Sequence, residues 1–361
     1  MTKQNLYLDL NVLQTVPSSN INRDDTGAPK TALYGGVTRS RVSSQSWKKA
    51  IRDDFRDAGI AGSRTKEAAK LLADKLKELD SSLDDATIED KVTDVFKVAG
   101  IKLKKDKKTG LLETGALLLV SRGQIAKLAQ YVLDNKELDR KAVKAVLQGN
   151  QSIDLALFGR MVADNPELNV DAAAQVAHAV STHEVVPEYD YFTALDDEQG
   201  PDETGAAMLG TINFNSATLY RYANLNINEL VRNLDKDDAI EGAVAFIKAF
   251  LLSMPNGKQN SFANKTLPSY VMITLRTDTP VNLVSAFEEP VTSRTGYVEA
   301  SIKHLETEYE NTLSYVDQPL LNLVMSRDDS TVGKQVADVT ELLAGVTEEL
   351  SKVVKDEDTN D

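Results

Sequence analysis

The chain begins with an alternation of apolar and polar residues that predicts β-strands. Leu6, Leu8 and Leu10 alternate with polar neighbours in the opening NLYLDLNVLQTV, so we expect a strand with one buried face. A polar loop and a Gly35-Gly36 turn follow, and the next segment, VTRSRV, alternates again. Two strands are therefore expected ahead of the first helix.

A helix with two distinct faces is predicted from SSQSWKKAIR. Ser43 or Ser44 can cap its start, and Gly59 can end it. One face is apolar and expected to be buried, with residues at i, i+4 and i+8: Trp47, Ile51 and Phe55. The neighbouring face is basic at the same spacing: Lys48, Arg52 and Arg56.

Residues 62–150 change to a helical period, as in TKEAAKLLADKLKEL and GQIAKLAQYVLDN. We interpret them as a helical insertion. Within it, the basic run from Lys102 to Lys108 is predicted to be a loop. A later helix is expected to carry four basic residues: Lys136, Arg140, Lys141 and Lys144.

The pattern of mixed elements returns at residue 151. A short apolar segment, SIDLALFGRM, precedes DAAAQVAHAVSTH, which predicts an alanine-rich helix. YDYFTAL and LGTINFNSATLYRYANLNI then predict a long β-hairpin with an acidic turn at 196–205. The apolar positions change parity near Ser216, where we expect a bend.

The remaining elements complete an α+β core that the helical insertion interrupts. Helices are predicted for AIEGAVAFIKAFLLSM and YVEASIKHLETEYENTL, and a strand for SYVMITL between them. We expect the core to comprise residues 1–61, 151–186 and 224–350. The insertion occupies 62–150, the hairpin 187–223, and an acidic tail 351–361.

Composition narrows the classes of function. The chain has 361 residues, no cysteine and a net charge of −14, which excludes disulfides, thiol nucleophiles and cysteine metal sites and favours the cytoplasm. No apolar run approaches the ~18 residues of a membrane span, so no membrane partner is expected. The charge is uneven: residues 1–52 hold eight basic and three acidic residues, whereas 184–220 hold eight acids and no base.

Catalytic and metal-binding signals are weak. His178 and His183 are five residues apart, about 140° around a helix, and HEXXH spacing is absent. The Asp24-Asp25 pair lacks the pattern of a calcium loop and is typical of a turn. Phosphate-binding and nucleophile motifs of the GXXXXGK[ST], GXGXXG and GXSXG types do not occur. We expect a binding protein without cofactor or metal.

The helix start at Ser43 is the strongest candidate site. Free N–H groups, the helix dipole and two serine hydroxyls favour an anion there. Lys48 and Arg52 continue the positive charge along the helix, and Arg39 and Arg41 lie on the strand before it. Such a line of charge suits a polyphosphate chain, although a capped helix with a solvated basic face fits the sequence equally well.

Several motifs in order resemble the CasC family, the backbone subunit of the type I-E CRISPR Cascade complex. They are NRDDTGAPKTALYGGVTRSRVSSQSWKKAIR, DLALFGRM, VAHAVSTHEV with YDYFTALDD, and FNSATLYRYANLNINEL. The resemblance implies a palm with a modified RRM-like (ferredoxin-like) sheet, helical fingers and a β-hairpin thumb. It also implies copies stacked head to tail along CRISPR RNA, within an antiviral ribonucleoprotein that holds target DNA and other Cascade subunits, without catalysis by this chain.

The resemblance and the charge pattern together give the candidate RNA-binding residues: Arg23, Lys30, Arg39, Arg41, Ser43, Gln45, Lys48, Lys49, Arg52, Arg160, Met161, Tyr191 and Phe192. Met161 would wedge beside a base. Tyr191-Phe192 stands at the thumb root, where a relative has Trp-Phe; by this resemblance, base stacking is still expected, and an indole N–H contact is not. Core packing is the alternative for Met161 and Phe192. The basic residues at 136–144 would hold target DNA, or form a solvated face.

Two other functions fit the sequence. One is an endoribonuclease that processes CRISPR RNA, with His178 or His183 as general base. The other is an oligomeric shell protein without nucleic acid. RNA that co-purifies with the protein separates the shell protein from the RNA-binding subunit, and RNA cleavage identifies the nuclease.

Overall fold

The computed structural model describes residues 5–162, 165–194 and 208–354. The strands are β1 (Tyr7–Ser19), β2 (Thr31–Tyr34), β3 (Val37–Val42), β4 (Ser63–Thr65), β5 (Leu103–Lys105), β6 (Leu112–Thr114), β7 (Leu118–Val120), β8 (Ala174–Val176), β9 (Ala179–Ser181), β10 (Glu188–Ala194), β11 (Met208–Asn226), β12 (Tyr270–Arg276), β13 (Leu321–Ser326) and β14 (Lys334–Gln335). The predicted acidic turn at 196–205 and most of the acidic tail lie outside the described residues.

Helices are interspersed among these strands, so the predicted mixed α and β composition is confirmed. They are α1 (Ser44–Asp57), α2 (Ala68–Leu79), α3 (Asp85–Ala99), α4 (Arg122–Asp134), α5 (Arg140–Gln148), α6 (Ile153–Phe158), α7 (Ile227–Asn233), α8 (Lys236–Leu252), α9 (Gln259–Phe262), α10 (Val298–Thr312) and α11 (Val339–Val353). Short 3₁₀ turns occur at Pro166–Leu168 and Leu283–Phe287. The two helices and the strand predicted for the last third of the chain are present as α8, α10 and β12.

The central sheet is mostly antiparallel. Its strand order is β14-β13-β12-β1-β11-β9-β3-β2, and β8 and β10 also pair with β11. The chain divides into two compact units. Unit 1 comprises Met1–Ile51, Val176–Asn224 and Val244–Leu350, and unit 2 comprises Arg52–Gln175, Leu225–Ala243 and Ser351–Asp361.

In unit 1, β1 is buried on both faces, so the expectation of one buried face is wrong. Leu8 and Leu10 are fully buried, but Asp9 and Asn11 are 1% exposed as well. Strand β1 lies at the centre of the sheet, between β12 and β11. Its inward polar groups are satisfied there: Asp9 accepts hydrogen bonds from the Tyr222 hydroxyl at 2.7 Å and from the Val281 N–H at 3.1 Å.

The predicted alanine-rich helix in DAAAQVAHAVSTH is wrong, because this segment forms β8 and β9. Strand β9 fills the space between β3 and β11, with Val180 opposite both Arg41 and Tyr220. Ala179 is 1% exposed. Pairing with two existing strands outweighs the helix propensity of alanine, which is a weak local preference.

The long hairpin is confirmed as β10 paired with β11, from Glu188 opposite Phe214 to Ala194 opposite Met208. Along β11, residues 208–214 are exposed or half-buried, whereas residues 217–224 are all buried. The change of parity near Ser216 therefore coincides with the point where the strand leaves the two-stranded ribbon and enters the sheet.

Unit 2 has a core of its own, and helices α2, α3, α4 and α5, which contribute most of it, lie within residues 62–150. Leu72, Phe96 and Leu128 are among its buried residues. The basic run at 102–108 is not a plain loop, because it forms β5 and the turn toward β6. The carboxylate of Asp106 fixes this turn by accepting from the Lys108 and Thr109 N–H groups.

Candidate nucleic-acid interface

The start of α1 is built from two segments of unit 1. The Ser43 carbonyl accepts the Ser46 N–H at 3.0 Å and the Trp47 N–H at 3.3 Å, so Ser43 is the cap residue. Its own N–H donates to the Asn22 side-chain oxygen at 2.8 Å. This bond fixes the 20–30 loop beside the helix start. The first turn carries no acidic residue, which leaves the positive end of the helix uncompensated.

The apolar face of α1 anchors the helix as predicted. Trp47, Ile51 and Phe55 are 1%, 0% and 1% exposed. The Arg221 guanidinium lies 3.8 Å from the centre of the Trp47 ring. These buried contacts fix the position of α1 and therefore of its polar face. A binding surface needs such rigid support.

The 20–30 loop is held by its own turn chemistry. One Asp24 carboxylate oxygen accepts from the Thr26 hydroxyl, the Thr26 N–H and the Ala28 N–H. These bonds, led by the Thr26 hydroxyl, lower the pKa of Asp24. Arg23 is exposed. Backbone bonds from Lys30 to Asn22 at 2.8 Å and from Arg41 to Lys30 at 2.9 Å place the loop along β3.

Lys30, Arg41 and His178 form a basic cluster next to this loop. The Arg41 guanidinium donates to the Thr31 carbonyl at 3.0 Å and to the Nδ1 atom of His178 at 3.1 Å. The side chain of His178 is exposed. Partial burial, followed by the charges of Arg41 and Lys30, lowers the pKa of His178. The sequence predicted no place for His178 in this cluster, because the pairing of β9 with β3 was not foreseen.

Arg39 and Arg160 do not face solvent. Arg39 is 0% exposed, and its guanidinium donates to backbone carbonyls at 2.8–3.1 Å: those of Tyr34, Ser181 and Phe287. Arg160, in unit 2, is 6% exposed and donates in the same way to three carbonyls: those of Leu119, Leu147 and Leu168. Burial lowers the pKa of Arg160 to about 10. Both side chains hold the fold together, so we leave them out of the interface.

The basic residues predicted on one face of α1 differ in exposure and in their partners. Gln45 and Lys49 are exposed, and Lys48 is half-buried with a pKa that burial lowers. Arg52 instead forms an ion pair with the fully buried Asp154, Nε to Oδ2 2.9 Å, within unit 2. The last member, Arg56, pairs with Asp53 at 3.1 Å. The exposed basic residues of this face are therefore Lys49, near the start of the helix, and Arg56, near its end.

The hairpin carries aromatic residues on opposite faces. Tyr191 is 66% exposed, and Tyr189, on the same face, is 67% exposed. The Phe192 ring lies over Gly210, its partner across the hairpin, and a β-carbon at Gly210 would come within 2.4 Å of the ring. Phe192 thus packs within the hairpin while remaining half-buried. In unit 2, Met161 is 84% exposed, which rules out core packing for it.

The four candidate DNA-binding residues in unit 2 do not form one exposed helix face. Lys136 precedes α5, which begins at Arg140. Lys136 and Lys141 are exposed. Arg140 lies 3.4 Å from the Glu167 carboxylate, and Lys144, only 7% exposed, pairs with the same carboxylate. Two of the four charges are therefore partly neutralised within the unit.

His183, the other candidate base, is locked in place. Its Nε2 atom accepts the Thr218 N–H at 3.1 Å, so Nδ1 carries the proton and donates to the Glu184 carbonyl at 2.7 Å. Its ring stacks on Tyr297 at 3.6 Å. Burial is the main cause of its lowered pKa. Within the described residues, no group of acids and histidines could hold a metal ion, and no helix is long and apolar enough to cross a membrane.

Comparisons with known proteins give a consistent result. The sequence model of the CT1975-like protein family matches residues 8–352. A solved chain described as "CRISPR RNA-guided surveillance complex, pre-nicking" is 31% identical, with a TM-score of 0.81 over 95% of this chain and 100% of that one. A chain of a "CRISPR RNA-guided surveillance complex" is 28% identical, with a TM-score of 0.73 over 95% and 99%. Among curated proteins, none matches.

Proposed function

We propose that this chain, which belongs to the CT1975-like protein family, is the RNA-binding backbone subunit of a CRISPR surveillance complex. The resemblance to CasC predicted from its motifs is confirmed by the family match and by the two similar chains. We propose for it the palm, fingers and thumb arrangement, with an RRM-like palm, and head-to-tail stacking of copies along the guide RNA.

The observation that carries this proposal is the accessible charge at the start of α1. Lys30, Arg41 and His178 converge beside the helix start, whose positive end is uncompensated. Arg23, Gln45 and Lys49 extend this surface on the solvent side. Several donors along a line match the phosphates of one strand better than a single small anion.

Phosphate contacts of this kind position RNA without reading its sequence. One subunit type can then hold every part of a guide, and copies can repeat along it. We include three further assignments in this proposal. The subunit holds target DNA that is paired to the guide, it contacts other Cascade subunits, and Lys136 and Lys141 contact the DNA.

Charge reversal at the start of α1 tests the proposal. Lys30→Glu with Lys49→Glu places two carboxylates on the surface without touching the buried face of α1. Arg52 is left in place, because a carboxylate there would oppose the buried Asp154. The matched control is Lys248→Glu with Lys334→Glu, which makes the same change in net charge at exposed positions elsewhere in unit 1.

We expect the first variant to lose binding of guide-length single-stranded RNA at physiological salt, and the control to keep it. Both should melt within a few degrees of the wild type. Equal RNA affinities for the two variants, measured by fluorescence anisotropy, would overturn the assignment of the interface.

We also propose that the chain binds RNA without cutting it. The two bonds of the His183 ring leave it no free nitrogen to remove a proton. The Nδ1 atom of His178 accepts from Arg41, and partial burial together with the charge of Arg41 lowers the pKa of His178, which makes it a weak base in the free protein. Repeat RNA should stay intact during incubation with the purified protein. Cleavage that disappears in a His178→Ala variant would instead establish the endoribonuclease.

A further inference from the structure

The loop at residues 256–265, between α8 and β12, lies directly against the segment that leads into the candidate interface. A β-carbon on Gly257 would come within 2.4 Å of the Ile21 carbonyl oxygen and 3.0 Å of the Asn20 carbonyl oxygen. Only glycine allows the two backbones to approach this closely. The next residue along that segment is Asn22, whose side chain accepts the Ser43 N–H at the start of α1.

The same loop also contacts the hairpin strand. The ring centres of Phe262 and Phe214 are 5.9 Å apart. Asn20 is 1% exposed, and its side-chain nitrogen donates to the carbonyls of Gly27 and Asn213, both at 2.9 Å. The loop is thus joined to the two parts of unit 1 that the proposed function assigns to RNA, the 20–30 loop and the root of the hairpin.

The backbone of this loop is strained at two positions. Lys258 has φ 54° and Ala263 has φ 46°, and they flank the single turn α9. A residue with a β-carbon pays a conformational cost in this left-handed region. Contacts on both sides of the loop hold it there: Gly257 on the Asn20–Ile21 backbone, and Phe262 on Phe214.

The charge of this region is opposite to that of the whole chain. The chain has 55 acidic residues, yet none lies between Glu241 and Asp278. Within the loop, Lys265 is exposed and Lys258 is half-buried. The side chains of Gln259 and Asn260 are exposed beside them and add amide donors. A rigid, acid-free loop with two lysines and exposed amides suits a phosphate and ribose backbone.

We propose that residues 256–265 form a second RNA-contacting element, in which Lys258 and Lys265 bind phosphates of the strand that lies along α1. The inference rests on the proposed function, because it names a further surface for the same ligand. In this arrangement the strained loop adds two phosphate contacts beside the Asn20–Ile21 segment that leads into the interface.

The test variant is Lys258→Asn with Lys265→Asn. Asparagine tolerates the left-handed region better than most residues, so the loop keeps its conformation while both charges are lost. The control is Lys248→Asn with Lys334→Asn, which removes the same charge at exposed positions of unit 1. The probe is a guide-length single-stranded RNA, and its affinity is measured at several salt concentrations.

Two lost phosphate contacts should reduce the slope of log affinity against log salt by about 1.4. We expect RNA affinity near 0.1 M salt to fall by roughly tenfold, with the control unchanged. If the test variant matches the control while Lys30→Glu with Lys49→Glu loses binding, the inference is wrong and the proposed function stands. If the wild type binds no RNA, the proposed function itself fails.

One further result would overturn the inference. The two lysines could contact an acidic surface on a neighbouring copy instead. In that case the test variant would bind a short RNA with wild-type affinity but form shorter assemblies on a long one. Sedimentation on RNAs of two lengths separates these outcomes.

Discussion

At the scale of single residues, His178 is the group whose protonation should respond to RNA. Burial and the charges of Arg41 and Lys30 lower the pKa of His178 in the free protein. A phosphate bound beside this cluster would raise that pKa, so RNA binding should be accompanied by proton uptake. RNA affinity should therefore rise as pH falls from 7.5 to 5.5, by at most about tenfold for each unit of pKa change.

A His178→Gln variant should lose this part of the pH dependence, while His183 and His304 remain as an internal control. The measurement is RNA affinity at a series of pH values for both proteins. Identical pH profiles would show that no phosphate lies beside His178.

Asp9 should make the stability of the fold depend on pH in the opposite sense to an ordinary carboxylate. Burial raises the pKa of Asp9 to about 6, against 3.8 for the unfolded chain. Because folding favours the protonated form, this contribution to stability is complete below pH 3.8 and is lost as pH rises through about 6. Between pH 5.5 and 7.5 the loss should be about 1 kcal/mol.

Asp9→Asn removes this titration and keeps the shape of the side chain. The urea midpoint of the wild type, relative to that of the variant, should thus be higher at pH 5.5 than at pH 7.5. A difference that stays constant between the two pH values would mean that Asp9 is ionised throughout.

The sequence predicted correctly that Arg39 and Arg41 lie on one strand, but not that their environments differ. The carbonyls that bury Arg39 come from Ser181 and Phe287, which are remote in sequence. Such partners leave no local signal. The capped start of α1 and its apolar face were predictable, because both depend on neighbours within one helix.

At the scale of elements, the hairpin presents two different faces to any ligand. The Phe192 ring packs against Gly210 and remains half-buried, so its exposed part can stack on a base. Phe192→Ala should weaken RNA binding by about 1–3 kcal/mol for each base stacked. Tyr191 points from the opposite face of the ribbon, so Tyr191→Ala should have the smaller effect.

Gly210→Ala provides an independent check on that geometry. The added β-carbon would push the Phe192 ring off the strand without removing it. RNA affinity should fall as it does for Phe192→Ala, whereas the melting temperature should change little because the ribbon is exposed. A larger loss from Tyr191→Ala than from either of these variants would assign the opposite face to RNA.

Most helices and strands were predictable because their apolar periods are local. The segment at 174–181 was not, since its alanines fit a helix as well as a short buried strand. Only the positions of β3 and β11 decide between the two, and these positions are a property of the assembled sheet. The wrong helix prediction also concealed the role of His178, because His178 contacts Arg41 only when β9 pairs with β3.

At the scale of the whole molecule, an acidic chain can bind RNA because its charge is segregated. The net charge is −14, yet residues 1–52 hold eight basic and three acidic residues. Acids elsewhere should repel RNA that is not seated along α1, so binding should be local and sensitive to salt. The two units have separate cores, and the accessible cluster at the start of α1 belongs to unit 1.

The most direct test of the central claim is sedimentation of the purified protein on single-stranded RNAs of increasing length. A backbone subunit should bind in a number of copies that grows in proportion to RNA length, and the RNA should remain uncut. A single bound copy at every length, or no bound RNA, would contradict the account.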